Sequence, residues 1–176
     1  MATSGSKNFE PDVGEFIEEA FERCGIELRT GYDLKTAQRS LNLLLAEWSN
    51  RGLNQWTVNQ KTVAMVEDTT VYNIDSTNAT APIDVLDSFI RETTNSVITD
   101  LPMTRISRAE YSSYPSKSTT GKPNQFMVDK QLSPTITVFP APDKSSTYTI
   151  YMNVLTRMDD ADVGSNTMQM PYRFYP

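Results

Sequence analysis

Residues 40–56 read SLNLLLAEWSNRGLNQW, with three consecutive leucines, a tryptophan, a glycine, and a second tryptophan eight residues after the first. Leu41, Leu44, Leu45 and Trp48 recur at the spacing of one face of an α-helix, and Leu34 and Ala37 extend that face backward. Leu43 adds a flanking apolar position. Asp33 is a good N-cap, and Gly52 suits the position just past a helix end. From Trp56 onward the apolar period falls to two. The stretch therefore reads as a helix that stops abruptly and hands over to a sheet, with both indole rings expected where helices meet strands. A surface covered by another chain would give the same pattern.

Working toward the N-terminus, residues 1–10 are small, polar and expected to be flexible. A first helix is predicted to start near Pro11 or Asp12, since proline suits a first turn. Val13, Phe16, Ile17, Ala20, Phe21 and Cys24 form its apolar face, and Glu15, Glu18, Glu19 and Glu22 take the other faces. Gly25 is a natural residue just past its end. The short link to the second helix favours an antiparallel pair. Two helices of this length cover only about half of each other and need a third partner.

Working toward the C-terminus, TVAMVED and TTVYNID read as two strands around a turn at Glu67–Asp68. IDVLDSFIRE (83–92) is a strand, followed across TTN by SVITDLPMTRIS. Ser107 with Glu110 forms a capping box for a short helix that stops before Pro115. QFMVDKQ, TITVFPAPD and TYTIYMNVLTR read as three strands of an antiparallel meander. MDDADVGSN is a polar loop, and the aromatic MPYRFYP that follows has no local partner. The fold class predicted is α+β, an N-terminal antiparallel helix pair followed by an antiparallel β-domain with one short helix. Its segments are a flexible N-terminus (1–10), a helical hairpin (11–55), the β-domain (56–158) and a C-terminal segment (159–176).

Composition narrows the function. A chain of 176 residues can bury about 70% of its unfolded surface and needs neither disulfide nor metal to fold. No apolar run approaches the roughly 20 residues that span a bilayer, and the first residues lack the pattern of a signal peptide. The expectation is a soluble protein with no membrane partner, made in a reducing cytoplasm, with the single Cys24 as a small core residue. Net charge is −6, with 22 acidic and 16 basic residues, and there is no basic stripe of the kind that holds duplex DNA. Histidine is absent, which removes Ser-His-Asp and Cys-His activation, histidine-ligated zinc and the usual base near neutral pH. No cofactor or catalytic residue is assigned.

The remaining motifs are weak. Gly121-Lys122 lacks both the upstream glycine and the following Ser or Thr of a phosphate loop. Asp159, Asp160 and Asp162 lack the closing glutamate of a calcium loop. Glu18 and Glu22, four apart on one helix, read as an exposed face. Most aromatics belong in the core, but Tyr172, Phe174 and Tyr175 have weaker local reasons to be buried and would suit docking on a neighbouring subunit.

The order of these pieces resembles a known family. AFERCGIE, DLKTAQRSLNLLLAEWSNRGLNQWTV and the later run from IDVLDSFIRE to YTIYMNVLTR are similar to head-to-tail adaptor proteins of tailed, chiefly short-tailed, bacteriophages, also called tail tubular protein A or head-completion tail accessory factor. The resemblance covers residues 10–176 and is one of order and character. It implies a homo-oligomeric ring of twelve copies at the head–tail junction of the virion. That ring would lie between the portal protein and the tail nozzle protein, and double-stranded DNA would pass through its lumen without specific binding. Similar proteins continue into C-terminal helices where this chain stops at Pro176. The interface candidates under this reading are Trp48, Trp56, Tyr111, Tyr114, Tyr172 and Phe174, each as an anchor.

Two other classes stay open on the residues alone. A peptidoglycan-degrading tail enzyme would use two carboxylates, with Glu47, Glu67 and Glu110 available but unpaired by the sequence. A glycan-binding β-module would require residues 56–157 to fold alone.

Overall fold

The computed structural model describes residues 9–26, 31–52, 56–74, 82–131 and 133–171. The chain divides into two compact units, one made of Met1–Trp56 with Met158–Pro176 and the other of Thr57–Arg157. The architecture is α+β, with a helix pair preceding antiparallel sheets and one short helix.

In the helical unit, α1 spans Val13–Arg23. Asp12 caps it with a full capping box. Its carboxylate accepts from the Glu15 amide at 2.8 Å, and the Glu15 carboxylate accepts from the Asp12 amide at 3.0 Å. The helix ends in a Schellman motif. The Ile26 amide donates to the Phe21 carbonyl at 3.0 Å and the Gly25 amide to the Glu22 carbonyl at 2.9 Å, with Gly25 at φ +71. The second helix, α2, spans Gly31–Asn50. It starts two residues ahead of Asp33, so Asp33 lies in the first turn, where its charge favours the helix dipole, and is not the N-cap. Gly52 at φ +79 turns the chain away after α2.

A third piece completes this unit. The first amides of an α-helix have no partner within the helix. Here the Val13 amide donates to the Asn166 carbonyl at 2.9 Å and the Gly14 amide to the Gly164 carbonyl at 2.8 Å. Asp12 forms a β-bridge with Thr167. The Ala161 amide donates to Asn42 Oδ1 on α2 at 2.8 Å. Residues 158–171 thus strap both helices. Val13, Ile17 and Ala161 form a small buried core, with Phe21, Leu34, Ala37, Leu41 and Met168 packed against it.

The strap also corrects one expectation. Cys24 is exposed and is not a core residue. Cover along α1 comes from the strap at its N-terminal end, so burial declines from Val13 and Ile17 through half-buried Phe21 to exposed Cys24.

The β unit begins with β1 (Val58–Ala64) and β2 (Val71–Asn73), continues through β3 (Pro82–Thr94), β4 (Val97–Pro102) and β5 (Thr104–Arg105), and then enters the short helix α3 (Arg108–Ser113). It closes with β6 (Thr120–Gly121), β7 (Gln125–Asp129), β8 (Thr135–Phe139), β9 (Ala141–Pro142) and β10 (Tyr148–Thr156). One sheet has the order β1-β10-β3-β4, another β2-β8-β7-β5, and β6 pairs with β9. The β5–β7 and β6–β9 pairings are short and parallel.

Sequence neighbours separate in this arrangement. The strands flanking the Glu67–Asp68 turn join different sheets, β1 against β10 and β2 against β8. The expected three-strand meander also breaks. β7 and β8 pair, but β10 leaves them to become a central strand between β1 and β3. β10 alternates buried and half-buried residues over its whole length, which suits a strand with one face on the core. Val85, Ser88 and Ile90 all point inward although 85 to 88 is an odd step, because a bulge at Leu86 absorbs one residue. The β3–β4 hairpin turns through Asn95 (φ 50) and Ser96 (φ 64), as a two-residue turn of the favoured twist requires. Both four-stranded sheets feed one core, including Met65, Val85, Ile90, Phe126, Ile136, Ile150 and Met152.

Candidate functional site: an apolar groove in the helical unit

The spacing that forms α1 and α2 leaves more apolar side chain than the unit covers. Between the helices runs an open groove of about 500 Å³. Ile17, Leu41 and Leu45 form its floor, and Phe16, Phe21 and Trp48 its walls. Met168 and Met170 of the strap also line it, and their flexible thioethers suit a surface that adapts to what it meets. Leu45 is buried at 4% exposure, while Leu43 and Leu44 of the same run are exposed at 67% and 39%. Leu43 and Leu44 are thus apolar surface that their own unit leaves open to solvent.

The groove has a charged rim on α1. Glu19 pairs with Arg23 at 2.7 Å, one turn apart. Glu18 and Glu22 do not line the groove and have no ion-pair partner among the described residues. On α2, Glu47 is paired with Arg51.

The remaining interface candidates are distributed over the chain. Trp48 lines the groove. Trp56 is half-buried at the end of the helical unit. Tyr111 and Tyr114 lie in the β unit, at the short helix α3, in a cluster with Phe139. The Tyr114 and Phe139 ring centroids are 4.6 Å apart, and the Tyr114 hydroxyl donates to Gln125 Oε1 at 2.8 Å. Tyr111 meets Phe139 edge-on at 6.4 Å. Tyr172 and Phe174 lie outside the described residues.

Spacing along single strands does not identify a second exposed array. On the outer face of the first sheet, Phe89 and Tyr151 stack across strands at 4.9 Å and 10°. The Arg91 guanidinium lies 4.5 Å from the Tyr151 ring centroid and 5.9 Å from that of Phe89, and it forks onto Asp100 with two 2.7 Å hydrogen bonds. The hydrogen bonds to Asp100 raise the Arg91 pKa, and those from Arg91 lower that of Asp100. The only signal for this array is cross-strand register, which is a property of the sheet.

Asp84 is the most tightly held carboxylate in the β unit. It accepts from Lys130 at 2.8 Å, from Arg105 at 2.9 Å and from the Val85 amide at 2.8 Å. Burial pushes its carboxyl up, but these donors outweigh burial and hold it below its ordinary value. Among the described residues no group of three histidine, cysteine or carboxylate side chains is arranged to hold a metal. None of the described helices is long and apolar enough to cross a membrane.

An open apolar groove of this kind suits a protein that works by contact with other chains. The SU10 adaptor protein family matches residues 12–174, nearly the whole chain, and the chain belongs to that family. It is a phage head-to-tail adaptor, a structural protein of the virion. No curated protein matches the chain.

Proposed function

We propose that this adaptor assembles into a ring of twelve copies at the head–tail junction, with the portal protein on one side and the tail nozzle protein on the other. In this reading the ring surrounds the channel through which double-stranded DNA leaves the head. The match to the adaptor family across residues 12–174 carries the proposal. The physics supports it in two ways. A net charge of −6 repels phosphate, so DNA can slide past without being held. Apolar surface left open on a helix pair is suited to heterologous contacts, which close into a ring when the rotation between copies allows. Trp48, Trp56, Tyr111, Tyr114, Tyr172 and Phe174 serve as contact anchors, and no residue serves as a catalyst.

The test is the mass of the chain alone and with purified portal, followed by electron microscopy of the mixture. The expected result is a ring stacked coaxially on the portal. A chain that remains monomeric with portal present overturns the proposal.

A further inference from the structure

We infer that copies of this chain join edge to edge, β4 of one copy adding to β1 of the next, so that the first sheet continues across the contact. The sheet ordered β1-β10-β3-β4 has two open edges, since among the described residues β1 pairs with β10 alone and β4 with β3 alone. Proteins blunt such edges with short strands or with charge. The second sheet does so, ending in β2 and β5 of three and two residues. The first sheet ends instead in strands of seven and six residues, with Val58, Val97 and Ile98 exposed at 46%, 64% and 60%.

Hydrogen-bond direction fixes which residues face each opening. The Met65 amide donates to the Tyr148 carbonyl and the Thr156 amide to the Thr57 carbonyl, both at 2.9 Å, so the odd-numbered residues of β1 turn their main chain toward β10. Val58, Gln60, Thr62 and Ala64 turn theirs outward. The Met103 amide donates to the Ser88 carbonyl at 3.0 Å, so Ile98, Asp100 and Pro102 face outward from β4. All of these outward residues have exposed side chains. The sheet is antiparallel throughout, so β4 runs opposite to β1 of a copy added in the same orientation. With all of β4 covered, only one register is in phase: Ile98 opposite Thr62, Asp100 opposite Gln60 and Pro102 opposite Val58. The first two pairs exchange both backbone bonds and the third only one, because Pro102 has no N–H. The same register sets each exposed apolar side chain against a fitting partner, Val97 on Val63, Ile98 on Thr62 and Val58 on Pro102.

Like edges fit worse. At full overlap β1 on β1 puts Lys61 opposite Lys61, and β4 on β4 puts Ile98 opposite Leu101, whose main chain already faces β3. The occupant selected is therefore a second copy in head-to-tail order, the arrangement that closes into a ring when the rotation allows. The inference rests on the ring reading above and names a contact within it.

The experiment uses the full chain carrying Cys24→Ser, which removes the one native thiol, with purified portal present. Thr62→Cys and Ile98→Cys are made singly. Opposed residues of this kind have Cα atoms about 5.5 Å apart, within the roughly 4.4–6.8 Å that a disulfide spans. On oxidation an equal mixture of the two variants is expected to give a covalent dimer, and either variant alone none. Thr62→Pro and Ile98→Pro each remove one outward N–H, where an edge strand tolerates proline. Each should keep its circular dichroism and weaken self-association by about tenfold or more. Mixed, they should recover dimers through β4 of the Thr62→Pro copy and β1 of the Ile98→Pro copy. A cysteine variant that cross-links with itself reveals like-edge pairing and overturns the inference. Rings on the portal that form no mixed disulfide, or that both proline variants assemble normally, overturn it and leave the ring reading standing. Monomers in the presence of portal overturn both.

Discussion

The Gly14 amide donates to the Gly164 carbonyl at 2.8 Å, closing the first turn of α1 with a carbonyl 150 positions along the chain. The neighbouring Val13 amide and Asn166 carbonyl repeat the contact, so a polar strap takes the place of solvent at the helix terminus. The helical unit is therefore built from both ends of the sequence.

Gly14 has little room for a side chain. A Cβ there would lie 3.1 Å from Asp12 Oδ1 and 3.3 Å from the Gly164 carbonyl oxygen. Alanine would recover some helix propensity, but a branched side chain must displace the strap. Gly14→Val should destabilise the helical unit by about 1–3 kcal/mol. Hydrogen exchange checks this, because the Val13 amide should lose protection while amides of β10 keep theirs. Unchanged protection at Val13 would show that the strap does not depend on the close approach.

Asp84 gives the β unit an acid-sensitive clamp. Its folded pKa lies below the ordinary 3.8, so ionisation is easier in the folded state than in the unfolded chain. The stability it contributes is fully present above about pH 4 and is lost as pH falls through the folded value. Asp84→Asn should cost about 1 kcal/mol near neutral pH, since Arg105 and Lys130 are substantially solvated. Thermal melts from pH 6 to pH 2.5 should show a shallower fall for the variant. Parallel pH profiles for the two proteins would contradict the assignment.

Tyr72 anchors the turn between β1 and β2. Its ring is buried, and its hydroxyl donates to the Thr69 carbonyl at 2.7 Å and accepts from the Val66 amide at 3.1 Å. Burial raises its pKa. Tyr72→Phe keeps the ring and removes the hydroxyl, so the cost should be about 1 kcal/mol, because water can reach part of the exposed turn. Denaturant unfolding should show a lower midpoint with an unchanged slope. A midpoint equal to that of the parent would mean that the turn holds without this hydroxyl.

Local chemistry makes much of the fold legible in the sequence. The apolar period of 13–24 and 34–48 specifies two helices, Gly25 and Gly52 mark their ends, and Ser107 marks the start of α3, its side chain accepting from the Glu110 amide at 3.1 Å. Each signal acts within a turn or two of chain, where spacing and backbone preference decide the outcome. The order of these elements is enough to suggest the adaptor family, and the family match agrees with it.

Tertiary structure decides what depends on contacts between distant segments. Strand periodicity says which residues face the core but not which strand lies alongside, so it cannot place β10 between β1 and β3, away from β8. The acidic loop after β10 reads as solvated because its side chains are polar. Its function as a strap lies in backbone carbonyls, which are the same in every sequence. Cys24 has the right spacing for a core residue and is exposed because burial requires a neighbouring element to extend over the position. The groove has the same origin: its residues are local helix faces, but the open space among them is set by how far α1, α2 and the strap cover one another.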